Sequence, residues 1–360
     1  MYDRRWERMK KFAVFSGFLG SGKTTTMMAL TRYYSAQYAK AAMISNDLGH
    51  GVSLADNRFA QLSGCKASEI TDDCICYVNE QLADRLNAYY DEGCELVVSD
   101  IPGFGVGALE HVYHGLTEKF PGQFELAPFT VLVEPKTVEL LRSGQGGDQE
   151  YLYDTQLVEA DLIVLNKCDL LSETQRDADL AWLSEHYPLA RVIAISALKG
   201  EGLDLLSQAL RSGEASMRRP EIGYGGEAFR HAMGKMSEFY LQYHAVVCCN
   251  TFDGNAYLMD MARQVQTEIR SAGYLIPHLK LLAWEPEGDF GKVDLIGTDR
   301  PIEETHRFER PCRELAVILN ASAACPVDKL EEIVMAAVEE VSRRYQLEWM
   351  VFKQEGLAMG

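Results

Sequence analysis

At 360 residues and roughly 150 residues per domain, the chain predicts two domains, each able to bury a core. Its 47% hydrophobic and 24% charged content is that of a soluble globular protein, and no uncharged run reaches the roughly 18 to 20 residues of a membrane span. The 53 acidic residues against 35 basic ones leave a formal charge of −18, which repels nucleic acid and anionic lipid, and no basic patch offsets it.

In chain order, the basic start is followed by the short apolar stretch Phe12 to Ser16 and then by glycines, too little for a secretory leader. A cytoplasmic location follows as an expectation. Short apolar strands are predicted at Phe12–Ser16, Ala41–Ser45, Glu95–Ser99, Phe129–Glu134, Leu162–Asn166 and Arg191–Ser196. Helical spacing falls between them at Thr24–Gln37, Asn79–Glu92 and Asp204–Arg211. This alternation predicts an α/β domain with a mostly parallel sheet over residues 8–212. Breakers and charge at residues 213–226 read as a linker. Beyond it, strands at Glu238–Thr251, His278–Trp284, Lys292–Gly297, Glu314–Asn320 and Leu347–Phe352 alternate with helices at Tyr257–Ala272 and Val327–Tyr345. That pattern predicts a smaller α+β domain over 227–360. In the last helix Leu330, Ile333, Val334, Ala337, Val338 and Val341 form one apolar stripe.

Gly17-Phe18-Leu19-Gly20-Ser21-Gly22-Lys23-Thr24 follows a strand and opens a helix, the context in which a glycine-rich loop cradles phosphates. Gly17, Gly20, Ser21 and Gly22 would wrap the phosphates, Lys23 would reach the β- and γ-oxygens, and Thr24, followed by Thr25, would offer a hydroxyl to Mg²⁺. Asp100 ends a strand and is followed three residues later by Gly103, an arrangement suited to a Mg²⁺ carboxylate and a γ-phosphate-sensing amide. Asn166-Lys167-Cys168-Asp169 also ends a buried strand, and the Asp169 carboxylate can accept from guanine N1–H and its amine, whereas adenine would leave it facing an acceptor. Ser196, Ala197 and Leu198 would contribute the backbone contact to the guanine oxygen. Together these motifs spell an enzyme that converts GTP to GDP and phosphate. No glutamine follows Gly103, so hydrolysis is expected to be slow until a partner or a homodimer completes the site.

Residues Ala42 to Gly51, followed by Thr71 to Tyr77, resemble the switch and cysteine region of the CobW/HypB/UreG family of metal-trafficking GTPases, in its CobW branch. Leu275 to Lys280 is similar to a stretch of CobW C-terminal domains. The resemblance implies a metallochaperone that uses GTP to deliver Zn²⁺, Co²⁺ or Ni²⁺, or a metal cofactor such as a corrinoid, to a client metalloenzyme. It also groups Asp47 with Lys23 and Asp100 as catalytic candidates. The chain departs from the family at two points: His50 stands where a glutamate is usual, and Cys74-Ile75-Cys76-Tyr77 lacks the third thiol of Cys-x-Cys-Cys. Cys74 and Cys76, expected on one side of an extended segment, suit a borderline or soft ion, and His50 is the candidate third ligand.

Blander readings stand beside these. Paired cysteines are often buried small apolar groups, which is also the expectation for Cys65 and for Cys248 with Cys249 on a strand. His111 and His114 lie at helical ligand spacing but read as solvent-facing. The nine cysteines without an export signal read as reduced thiols. The rival to metal delivery is a metal-free GTP-dependent switch or conformational chaperone for a partner enzyme.

Overall fold

The computed structural model describes residues 10–46, 55–71, 73–103, 105–145, 147–220, 222, 226–248 and 250–359. Its contacts divide the chain into two compact units. Residues up to 48 and 64–226 form one, and 49–63 with 227–360 form the other.

The first unit contains β1 (Lys11–Ser16), α1 (Lys23–Gln37) and β2 (Ala41–Asn46). The chain then supplies α2 (Ala55–Leu62) to the second unit. It returns with β3 (Ala67–Ile70), α3 (Asn79–Asp91), β4 (Leu96–Asp100), a π-helix at Leu109–His114 that continues as α4 (Gly115–Lys119), and β5 (Glu125–Leu126). The remaining elements of this unit are β6 (Thr130–Val133), α5 (Pro135–Ser143), α6 (Asp148–Glu159), β7 (Leu162–Leu165), α7 (Glu173–His186), β8 (Arg191–Ala194) and α8 (Leu203–Ser212). The strands pair in parallel in the order β3-β2-β4-β1-β6-β7-β8, with β5 added beside β1. Each of β1, β2, β4, β6 and β7 is buried along its whole length, as strands covered on both faces must be.

The second unit continues with α9 (Glu227–Met233), β9 (Ser237–Val247), α10 (Gly254–Ser271), β10 (His278–Trp284), β11 (Phe290–Leu295) and β12 (Glu303–His306). It ends with β13 (Glu314–Ala323), α11 (Val327–Arg344) and β14 (Leu347–Ala358). The sheet is antiparallel in the order β12-β11-β10-β13-β9-β14. Strand alternation divides its two faces. Phe239, Leu241, Tyr243, Leu279, Leu281, Leu315, Val317 and Leu319 pack with the apolar stripes of α10 and α11, including Leu330, Ile333, Val334, Ala337, Val338 and Val341. Within that core the hydroxyls of Tyr243, Tyr257 and Ser342 form a buried chain, at 2.9 Å and 3.1 Å.

The fold class is the expected one, but the chain's path is not. Residues 55–62 belong to the second unit because Ala55, Phe59 and Leu62 pack on Leu282, Phe290, Ile318 and Trp284, the other face of the antiparallel sheet. Asn320 Oδ1 accepts from the Ala55 N–H at 3.0 Å, and Asp56 lies 2.6 Å from Lys280 Nζ and 3.8 Å from Lys292 Nζ. The stretch read as a linker belongs to the first unit up to residue 226. Ala215 N–H donates to Leu126 O at 3.1 Å, and Arg218 lies 3.6 Å from Asp161. Among the described residues no helix is long and apolar enough to cross a membrane.

Asp56 is 8% exposed between two lysines, so its removal takes a buried carboxylate partner from Lys280, while Lys292 keeps Asp294. Asp56→Ala is expected to lower stability by about 2 kcal/mol in urea unfolding, and Asp56→Asn, which keeps a hydrogen-bond acceptor, by less.

Candidate nucleotide and metal site

The loop between β1 and α1 is shaped by its glycines. Gly17, Gly20 and Gly22 have φ of +126°, +85° and +92°. A Cβ on Gly17 would lie 2.4 Å from Leu132 O, and one on Gly22 would lie 2.3 Å from Asn166 Nδ2, so neither position accepts a side chain. Lys23 arcs back across the loop and donates from Nζ to Gly17 O at 2.6 Å. Ser21 is buried, and its hydroxyl is among the described buried polar atoms with no hydrogen-bond partner. That hydroxyl lies 2.8 Å from where a Gly17 Cβ would sit, inside the curve of the loop. A concavity of this kind, lined by backbone and an orphaned hydroxyl beside an ammonium, fits a phosphate chain.

Asn166, 2% exposed, ties this loop to the next two. Its Nδ2 donates to Ser21 O at 2.9 Å, and its Oδ1 accepts from Ala197 N–H at 3.1 Å. Lys167 adopts φ +63°, and its ammonium lies 2.7 Å from Glu134 at the end of β6. Asp169 is exposed and accepts from Ser196 Oγ at 2.6 Å, and that hydroxyl in turn accepts from Lys199 N–H at 3.2 Å. Leu198 is 75% exposed. The fold therefore gathers Asn166, Lys167, Asp169, Ser196, Ala197 and Leu198 at one edge. Glu134 was not foreseen, although an acidic residue at a strand end before a helix-opening proline was a readable signal.

Asp100 ends β4, where that strand pairs Phe15 of β1, and it is 7% exposed. Its Oδ1 accepts from Asn46 N–H at 2.9 Å. Thr24 opens α1 as its second residue. A threonine hydroxyl and a carboxylate form the hard-oxygen donor set that Mg²⁺ requires. A Cβ on Gly103 would lie 2.4 Å from Leu19, so the loop after β4 lies against the phosphate loop. Two side chains of α6 hold that loop: Gln156 Nε2 donates to Gly103 O and Gly105 O at 3.1 Å and 3.0 Å, and Glu159 accepts from Gly107 N–H at 2.7 Å and Leu109 N–H at 3.4 Å. Neither was singled out in the sequence, because a polar residue on a helix declares no partner. Burial pushes the Glu159 carboxyl up to about 7, against the pull of those two amides.

Cys74 and Cys76 lie in a turn rather than an extended segment, closed by Tyr77 N–H donating to Cys74 O at 2.8 Å. The turn brings Cys76 N–H to 3.4 Å from Cys74 Sγ. Both residues are 8% exposed. A hydrogen bond with Cys74, reinforced by burial, raises the Cys76 thiol well above its usual range. Asn46 holds the turn through its side chain, as does Asn79, whose Nδ2 donates to Ile75 O at 3.1 Å and to His111 O at 3.2 Å.

Two expectations are corrected here, and those for Cys249, Asp47 and His50 fall outside the described residues. Cys248 lies beyond the end of β9 and is exposed, not core, and Cys249 is outside the described residues. His111 and His114 sit half-buried in the π-helix, His111 near the Tyr77 ring at 5.9 Å and His114 with only 12% of its side chain exposed. Asp47 and His50 lie outside the described residues. Among the described residues no three His, Cys, Asp or Glu side chains cluster as a metal site. Cys65 is buried, as expected for a core or loop thiol.

Glu159 yields a pH signature. Its folded value of about 7 exceeds the 4.5 of an unperturbed carboxyl, so the folded state binds the proton more tightly. The stability it contributes is complete below about pH 4.5 and is lost as pH rises through about 7. The gap between wild type and Glu159→Gln in urea unfolding should therefore shift by up to about 3 kcal/mol between pH 4.5 and 8, to the wild type's disadvantage at high pH.

A model of the CobW/HypB/UreG nucleotide-binding domain matches residues 11–193, over half of the chain. The zinc chaperone YeiR of Escherichia coli is 28% identical over 186 residues, covering 49% of this chain and 52% of that protein. The chain thus spans about half the length of that relative. HypB from Helicobacter pylori in complex with nickel is similar in structure at a TM-score of 0.40 and 18% identity, covering 58% of this chain and 91% of that one. Zn(II)-bound YjiA GTPase from Escherichia coli aligns at a TM-score of 0.37 and 13% identity, covering 91% of this chain and 98% of that one. By the match of its nucleotide-binding half, the chain belongs to the CobW/HypB/UreG family.

Proposed function

We propose that this chain is a Mg²⁺-dependent GTPase of the CobW branch that couples nucleotide turnover to delivery of a transition metal to a client protein in the cytoplasm. The observation that carries this reading is the placement of the two thiols. The turn holding Cys74 and Cys76 hangs from Asn46 at the end of β2, and β2 pairs with β4, whose last residue Asp100 lies in register with Phe15 of β1, the strand that leads into the phosphate loop. A nucleotide site and a thiol pair built on adjacent strand ends are suited to influence one another.

The chain's own residues divide the work. Lys23 exchanges Gly17 O for β- and γ-phosphate oxygens, and the N–H groups of Gly20 to Thr25 line the phosphates. Asp169 accepts from the guanine edge, while Ser196 orients it and Asn166 keeps the base loop in register with the phosphate loop. Thr24 and Asp100 would hold Mg²⁺, which when bound neutralises charge developing on the phosphoryl oxygens. Asp47 and His50 remain candidates for the catalytic and metal-holding roles given above. The metal is substrate here, and zinc is the first choice, since a zinc chaperone is among the relatives and thiolates suit Zn²⁺. Co²⁺, Ni²⁺ or a corrinoid are the further cargo readings. The second unit would supply the client surface, and a homodimer or the client would speed hydrolysis.

The metal-free switch is the second reading. It is favoured by the Cys76 thiol, which Cys74 and burial hold in its protonated form. Anaerobic titration of the Mg²⁺-loaded protein with Co²⁺, followed by thiolate charge-transfer absorption, separates the two. Cargo binding requires tighter thiolate-ligated Co²⁺ with a non-hydrolysable GTP analogue than with GDP, and loss of the band in Cys74→Ser/Cys76→Ser. Equal or absent binding in both nucleotide states leaves the switch. Asp169→Asn is expected to weaken GTP binding by about 100-fold, read by competition with a fluorescent guanine nucleotide, because the amide presents a donor to guanine N1–H.

A further inference from the structure

Asn46, 3% exposed, touches both parts of the site with different atoms. Its backbone N–H donates to Asp100 Oδ1 at 2.9 Å. Its side chain belongs to the cysteine turn: Nδ2 donates to Ile70 O at 3.0 Å and Asp73 O at 2.9 Å, and Oδ1 accepts from Ile75 N–H at 3.0 Å. The bonds to Asp73 and Ile75 bracket Cys74. That residue has little freedom of its own, since its N–H donates to Asp73 Oδ1 at 2.8 Å and its sulfur accepts from Cys76 N–H. A displacement of Asn46 therefore carries the two thiols with it. At the other end, an N–H bonded to a carboxylate makes a strong, directional contact that follows the carboxylate when a cation or phosphate repositions it.

We propose that Asn46 is the positioning residue that transmits the nucleotide state from Asp100 to the Cys74–Cys76 turn and so sets the accessibility of both thiols. This rests on the reading of Asp100 as the carboxylate at the Mg²⁺ and phosphate end. The residue type suits the task, because only a carboxamide offers two donors and an acceptor in that small buried space. An aspartate would face Ile70 O and Asp73 O with acceptors, and an alanine would leave those carbonyls and the Ile75 amide without this partner. Because the link to Asp100 is made by the backbone, substituting Asn46 cuts the cysteine end alone.

The test uses the full-length chain with Mg²⁺ and either GDP or a non-hydrolysable GTP analogue. Brief alkylation with N-ethylmaleimide is quantified by mass spectrometry on the peptide that holds Cys74 and Cys76, with the exposed Cys248 as the reactive internal reference and the buried Cys94 as the unreactive one. Wild type should differ between the two states by about tenfold. In Asn46→Ala the difference should fall below about twofold, while nucleotide affinity changes by less than about threefold. A residue that merely braces a loop would lower stability and leave the state dependence intact. A second arm needs no variant: amide hydrogen exchange of wild type should show residues 73–77 and Asn46 changing protection together when the nucleotide is exchanged.

An alkylation difference that persists in Asn46→Ala, or exchange that changes at Asn46 and not at 73–77, overturns the role of Asn46 and leaves the nucleotide-gated cargo reading standing. A wild type that binds the analogue with no state-dependent alkylation overturns both. Loss of Co²⁺ binding with the alkylation difference retained removes the cargo reading alone, and Asn46 then serves the metal-free switch.

Discussion

Parallel pairing is the constraint on which the nucleotide end depends. Strands β2, β4, β1, β6, β7 and β8 all run the same way, so their carboxyl ends emerge at one edge of the sheet. Asn46, Asp100, Gly17, Glu134, Asn166 and Ile195 follow or end those strands. Residues 145 positions apart in sequence, such as Ser21 and Asn166, thereby become neighbours. The register is equally demanding. Phe15 pairs Asp100 and Ile44 pairs Ser99, so a slip of one residue in either strand would turn the Asp100 carboxylate to the wrong face.

Onto this edge the first unit fastens its loops with buried carboxamides. Asn166 joins the phosphate loop to the loop after β8, Gln156 holds the loop after β4, Asn46 holds the cysteine turn, and Asn79 connects that turn to the π-helix. A neutral amide satisfies carbonyls and N–H groups at once, without the desolvation penalty that a charge would carry in the same place. Glu159 is the exception among them. It holds two amides as a carboxylate would, yet burial brings it close to neutrality. The π-helix it helps to start places Tyr113 under the sheet, where its hydroxyl accepts from Val14 N–H of β1 at 3.0 Å.

Much of this was legible from sequence where a residue's task is local. The strand, glycine loop and helix of residues 11–37 form one continuous signal, and the apolar stripe of α11 reads directly as its buried face. Tasks set by distant partners were not legible. Nothing in Gln156 or Glu159 announces the loop around Gly103 and Gly107, and nothing in Ala55 to Leu62 announces a sheet more than two hundred residues downstream. The cysteine pair was read as extended because spacing by two suggests a strand. The chain instead turns, because the Asn46 side chain offers Ile75 N–H an acceptor and takes Asp73 O as a partner.

The excursion of α2 also orders events in time. Asp56 and Lys280 are 224 residues apart in sequence, so on the ribosome α2 is finished long before its sheet exists. Until β10, β11 and β13 have been made, Ala55, Phe59 and Leu62 have no apolar surface of their own unit to cover. The second unit therefore cannot mature as a separate C-terminal body after the first. A fragment beginning at Glu227 would lack one of its own layers, leaving Leu282, Phe290 and Ile318 open to water and to other chains. The chain thus enters the second unit at α2 and returns to the first at β3 before either unit is complete.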